Sequence, residues 1–155
     1  MEKESCSLNT MVAEIQISYM PKIKLSSLPQ ISGQIDAYQL FIDTWDKTKI
    51  ELVEQFRVML LNKANRVLGI CTLTTGNVSG TIADPKQIFA LALKANATAI
   101  IIAHNHPSGN LTPSTEDYAL TKKIKEAGDF LDLKVIDHFI VTSEGYYSFA
   151  SKGVL

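Results

Sequence analysis

Residues 97–117, which read Ala-Thr-Ala-Ile-Ile-Ile-Ala-His-Asn-His-Pro-Ser-Gly-Asn-Leu-Thr-Pro-Ser-Thr-Glu-Asp, constrain the fold more than any other part of this chain. Ile100, Ile101 and Ile102 form a β-branched apolar run suited to a buried strand, flanked by small residues that let helices approach. Side chains alternate along a strand, so Ile100, Ile102, His104 and His106 project to one side. The two histidines are then about 6 to 7 Å apart at their backbones. Pro107, Ser108, Gly109 and Asn110 break the strand, and Thr112-Pro113 opens a helix, proline being tolerated in a first turn. At about 100° per residue, Asp117 shares a stripe with Leu120, Ile124 and Ala127, the stripe expected to face the core. An unpaired carboxylate there is costly to desolvate, and a cation shared with two imidazoles removes that cost. Ser114 stands one turn earlier, beside Asp117.

His104, His106 and Asp117 thus form a candidate three-ligand metal site. Two imidazoles and one carboxylate with an open fourth position match catalytic rather than structural zinc. Calcium and magnesium cages rarely use two imidazoles, and iron with two histidines and a carboxylate favours higher coordination. One zinc ion is the expected cofactor.

His104-x-His106-Pro107, followed after six residues by Ser114-x-x-Asp117, resembles the signature of the JAMM (JAB/MPN) metalloprotease superfamily. His-Asn-His-Pro-Ser-Gly is similar to its bacterial RadC-like branch. Gly80-Thr81 leading to Asp84-Pro85, Leu93-Lys94-Ala95-Asn96-Ala97, and Asp137-His138 before an apolar run extend the likeness over roughly residues 34 to 155, the structural context a motif needs. The resemblance implies a three-layer α/β/α fold of the cytidine-deaminase-like, JAB/MPN type. It also implies a zinc-dependent hydrolase of peptide or isopeptide bonds, with a peptide or protein as substrate.

With 155 residues the chain makes about one domain. We divide it into an N-terminal extension, residues 1–30, and a RadC-like JAB/MPN domain, residues 31–155. Its 46% hydrophobic and 20% charged content is ordinary for a soluble protein, and no apolar run approaches a membrane span. The start, Met1-Glu2-Lys3-Glu4-Ser5, does not resemble a signal peptide, and Cys6 and Cys71 read as reduced thiols, so a cytoplasmic location is expected. A net charge of −1 argues against a dedicated nucleic-acid binder. Lys122, Lys123 and Lys125 form the one basic cluster, read as a solvated helix face rather than a phosphate patch. Longer RadC-like chains carry an N-terminal helix-hairpin-helix region for which these 30 residues leave no room, which weakens an expectation of DNA binding. The rival function is a non-catalytic or DNA-associated binding module in DNA repair or mobile-element biology. A nucleobase deaminase would need His-x-Glu and Pro-Cys-x-x-Cys, which the sequence lacks.

In chain order, residues 1–11 read as a polar tail and residues 12–19 as an edge strand, with Ile15, Ile17 and Tyr19 on one side. Pro21 and Pro29 bracket an extended connector. An amphipathic helix follows from Gln34 to about Trp45. Residues 56–61 and 67–74 form a hairpin around Asn62-Lys63-Ala64-Asn65. Asp84-Pro85 opens a helix to about Asn96. The helix carrying Asp117 ends near Gly128. Residues 133–142 and 146–149 are strands turned by Ser143-Glu144-Gly145. The order αββαβαββ predicts an α+β chain with one mixed β-sheet flanked by helices.

Glu54 shares a face with Phe56, Val58 and Leu60. This pattern suits either a general base at the mouth of an apolar row or a strand-end acid pointing into water. The resemblance points to the first, with Glu51 as the fallback. It also implies that Ser114 donates to the oxyanion; its other reading is an ordinary first-turn residue. Glu116 needs only the helix dipole to explain it. His138, alone in an apolar strand, reads as a satisfied core group or a support for a ligand; Asp137 and His138 lining the site is the alternative.

Overall fold

The computed structural model describes Ala13, Gln16, residues 20–76 and residues 83–155. The strand expected over 12–19, the polar tail with Cys6, and Gly80-Thr81 of the expected loop lie outside the described residues. Helix α1 spans Gln34–Thr44, α2 Pro85–Lys94 and α3 Thr115–Phe130; the strands are β1 Gln55–Leu61, β2 Val67–Thr75, β3 Ala99–Asn105, β4 Lys134–Val141 and β5 Tyr146–Ser148. This is the expected order. The connector differs in one detail, because Leu25–Ser27 forms a single 3-10 turn instead of continuous extended chain.

One mixed sheet holds the strands in the order β2-β1-β3-β4-β5. Among the described residues only β3 and β4 are parallel, joined across α3; the β1–β2, β1–β3 and β4–β5 pairs are antiparallel. The hairpin closes where expected. Asn62 Oδ1 accepts from the Ala64 and Arg66 amides, and Asn65 takes φ 55°, a left-handed conformation that asparagine tolerates.

β1 and β3 lie inside the sheet, and every residue of both is buried. Strands covered on both faces read as near-continuous apolar runs, which is what these two are. On one face Ala37, Phe41 and Trp45 meet Met59, Leu61, Ile101 and Phe139. On the other, Ile88, Phe89 and Ala92 of α2 and Ile124 of α3 cover Phe56, Val58, Ile100 and Ile102. The architecture is therefore three-layered, with α1 opposite α2 and α3. Among the described residues no helix is long and apolar enough to cross a membrane.

Two local features decide what reaches the α3 face. The β3–β4 register shifts between Ile100, opposite Val135, and Ile101, opposite Asp137. The extra residue puts Ile136 and Asp137 beside the same cavity on the α1 face and leaves His138 opposite Ile102, on the α3 face. Gly128 does not end α3. The helix runs two residues further, and Gly128 lets it sit against β4, because a Cβ there would lie 2.5 Å from the Leu133 carbonyl oxygen.

Candidate metal centre

β3 carries His104 to the last turn of the ladder, and His106 continues it by donating its amide to the Val141 carbonyl at 3.1 Å. Asn110 O then receives His106 Nδ1–H at 2.6 Å, which turns Nε2 of that ring inward. The third group arrives from α3. Ser114 is the N-cap and Asp117 the third helical residue, and they form a reciprocal capping box. Ser114 Oγ accepts from the Asp117 amide at 3.1 Å while Asp117 Oδ2 accepts from the Ser114 amide at 2.7 Å. The Ser-x-x-Asp spacing thus has a backbone reason: it orients the carboxylate.

These pieces converge as expected. His104 Nε2 lies 3.1 Å from His106 Nε2 and 3.1 Å from Asp117 Oδ1, and His106 Nε2 lies 3.7 Å from Asp117 Oδ2. Ligand atoms bound tetrahedrally to zinc at its usual bond lengths are about 3.3 Å apart, so the donor set fits this ion in type and spacing. His104 is buried, His106 and Asp117 are half-buried, and a cleft of about 330 Å³ opens beside His106, lined also by Glu51, Pro107 and Glu144.

Electrostatics agree with a strongly acidic ligand set. Burial works against the Asp117 carboxylate, yet hydrogen bonds from His104 and His106, the charge of His104 and the Ser114 amide hold it well below the usual range. The hydrogen bond to Asp117 raises His106 against the effect of burial, helped by the Asn110 carbonyl and the charges of Asp117 and Glu54. Glu54 is thus close enough to act on a ligand through its charge. It is half-buried, immediately before β1, and its carbonyl accepts from the Gly76 amide at 2.8 Å.

His138 is fully buried, with Nε2 2.8 Å from His104 Nδ1 and Nδ1 2.6 Å from Thr121 Oγ1. Burial and the neighbouring His104 push it well below the ordinary imidazole value, which keeps it neutral. It backs His104 and is satisfied in the core by Thr121. Asp137 does not line the site: its carboxylate accepts from Ser148 Oγ and from the His138 and Ala150 amides, and it borders a cavity on the α1 face. Strand alternation puts these two neighbours on opposite faces, and the register shift decides that His138 is the one facing His104.

Two polar residues at the site escaped the sequence reading. Thr121 lies one turn after Asp117 on the most buried line of α3, with Ile124 and Gly128. Asn105, between the two histidines, faces the other way and is fully buried. A polar residue following Ile101 and Ala103 on an apolar side was the signal available for it. The basic cluster is as expected on α3: Lys122 and Lys123 are exposed, and Lys122 pairs with Glu126 at 3.8 Å.

A family model for the RadC-like JAB domain matches residues 31–154. Among curated relatives, UPF0758 proteins of Flavobacterium johnsoniae, Pelobacter propionicus and Thermotoga maritima are 48%, 41% and 41% identical over 101, 102 and 102 residues. These alignments cover 65%, 66% and 66% of this chain but 44%, 44% and 46% of the relatives, so the chain spans less than half of their length. The mixed sheet between helices and the His104-x-His106 to Asp117 constellation agree with that match, and the chain belongs to the RadC-like JAB domain family.

Proposed function

We propose that this domain is a zinc-dependent hydrolase of peptide or isopeptide bonds, acting on a peptide or protein. The observation that carries the reading is the convergence of one ligand atom each from His104, His106 and Asp117 to within 4.8 Å of one another. These three residues would hold the ion. When bound, zinc supplies Lewis acidity, lowering the pKa of water toward 7 and polarising an amide carbonyl. Glu54 accepts the water proton on its carboxylate and returns it to the leaving nitrogen. Ser114 Oγ takes one hydrogen bond from the Asp117 amide, and its own O–H is the donor to the developing oxyanion. The cleft beside His106 receives the substrate, and the reducing cytoplasm, where Cys71 remains a thiol, is the working compartment.

The test pairs metal analysis of the purified chain with hydrolysis of a fluorogenic peptide library and of isopeptide-linked substrates. One zinc per chain and a zinc-dependent cleavage lost in Glu54→Gln support the reading. A chain without zinc, or a salt-dependent affinity for DNA with no hydrolysis, favours the binding-module alternative.

A further inference from the structure

We infer that Thr121 and His138 are positioning residues that set which nitrogen of His104 carries the proton, presenting a bare Nε2 to the metal. The inference rests on the metal reading above and concerns residues outside the ligand set.

One chain of hydrogen bonds runs from the Asp117 carbonyl through Thr121 and His138 to His104, and each link has one proton to share. Thr121 Oγ1 lies 2.6 Å from the Asp117 carbonyl, an atom that can only accept, so the single hydroxyl proton is directed there. The same oxygen lies 2.6 Å from His138 Nδ1 and must then accept, which places the His138 proton on Nδ1. His138 Nε2, left with a lone pair, accepts from His104 Nδ1–H across 2.8 Å. With both rings neutral, as metal loading requires, His104 Nε2 is thereby unprotonated, and it is the atom 3.1 Å from both His106 Nε2 and Asp117 Oδ1.

The alternative polarity is equally instructive. If Thr121 donated to His138 Nδ1, every proton in the chain would move over, and His104 Nε2–H would point at Asp117, blocking ligation. The Asp117 carbonyl, which has no proton of its own to offer, takes the hydroxyl proton and disfavours that state. Aromatic packing fixes the ring that transmits the choice: His138 stacks on Phe149 with centroids 4.7 Å apart, and His104 stacks on Phe56 with planes 8° apart. Imidazole ligands elsewhere are oriented by a carboxylate, carbonyl or water. Here a second, neutral imidazole does it, and a helix hydroxyl tied to the backbone of the aspartate ligand sets its tautomer.

The experiment uses the full chain with ¹⁵N-labelled histidine, loaded with zinc, and long-range ¹H–¹⁵N spectra that distinguish the two tautomers. Nδ1–H is expected on both His104 and His138. Zinc affinity, measured by competition with a chelator, is expected to fall about 10- to 100-fold in Thr121→Val and to return close to the parent value in Thr121→Ser. Thermal melts of both variants report folding. An Nε2–H tautomer at His138 in the zinc-loaded parent overturns the inference, as does a folded Thr121→Val that binds zinc as tightly as the parent. In either case the metal reading survives. A parent chain that binds no zinc overturns the metal reading and this inference together.

Discussion

Asn105 Oδ1 accepts the backbone N–H of Gln55 at 2.7 Å, from a side chain that also donates to the Ile50 and Val53 carbonyls at 2.7 and 2.9 Å. Three hydrogen bonds from one fully buried amide therefore hold the segment ending in Glu54 to the strand that supplies both histidines. Asn105→Ala leaves three backbone groups without these partners, each costing about 1–3 kcal/mol if it stays buried. The expected outcome is a loss of about 3 kcal/mol or more in denaturant unfolding, with zinc stoichiometry in the folded fraction unchanged. A variant as stable as the parent would remove the tether from the account.

His104→Ala and Asp117→Ala are expected to abolish zinc binding while the far-UV circular dichroism spectrum stays that of the parent. The core strands are buried against helices on both faces and do not depend on the ion. Zinc at a thousandfold excess over its Kd adds about 4 kcal/mol to the parent by mass action, so its melting temperature should fall with a chelator and those of the variants should not.

Glu54→Gln should keep zinc and lose hydrolysis. Ser114→Ala should do two separable things. Loss of the oxyanion donor slows kcat about a hundredfold, and loss of the N-cap lowers stability by about 1 kcal/mol. A Ser114→Ala variant that loses stability but keeps its rate would reduce Ser114 to its capping role.

The pH dependence of the metal-free chain follows from the shifts of three groups, Asp117, His106 and His138. Asp117 is held down, so its contribution is present above the unfolded value near 3.8 and disappears as pH falls through the folded one. His106 is held up by its bond to Asp117, so its contribution is complete below 6.5 and is lost as pH rises through the folded value. His138, held neutral by burial, works against His106 on the acid side because only the unfolded chain takes up that proton below 6.5, so calorimetry should find the metal-free optimum near neutrality. Zinc, which displaces protons from its ligands, should move it upward. An optimum at the same pH with and without zinc would contradict this.

Gly128→Ala should destabilise the protein although alanine is the better helix former by roughly 1 kcal/mol. The added methyl meets the Leu133 carbonyl at 2.5 Å and Val135 Cγ2 at 2.9 Å, so α3 must shift off β4. A net loss of about 1–3 kcal/mol is expected in urea unfolding.

Much of the fold was legible because its strongest signals are local. The Ile100–Ile102 run, the Asn62–Asn65 turn and the Asp84-Pro85 helix start each specify their own conformation, and alternation alone puts His104 and His106 on one side. Asp117 was legible through the cost of burying a charge. What escaped is what depends on two elements at once. A register shift in β4 decides that His138 and not Asp137 faces His104, and nothing in one strand's alternation reports how it slides against its neighbour. Thr121 and Asn105 act through backbone atoms of other segments, which carry no residue identity. Gly128 looked like a helix terminator because a glycine at a close packing point and one at a helix end are written alike.

The additional residue in β4 has a consequence for how such a domain tolerates insertion and deletion. Dropping Ile136 would remove the bulge and leave Asp137 opposite Ile101 and His138 opposite Ile102, whereas regular pairing of the whole strand with Ile136 kept would put Asp137 opposite Ile102 and turn His138 to the α1 face. The place where this strand slips by one residue is thus as much a determinant of the surroundings of His104 as the identity of any side chain that touches it.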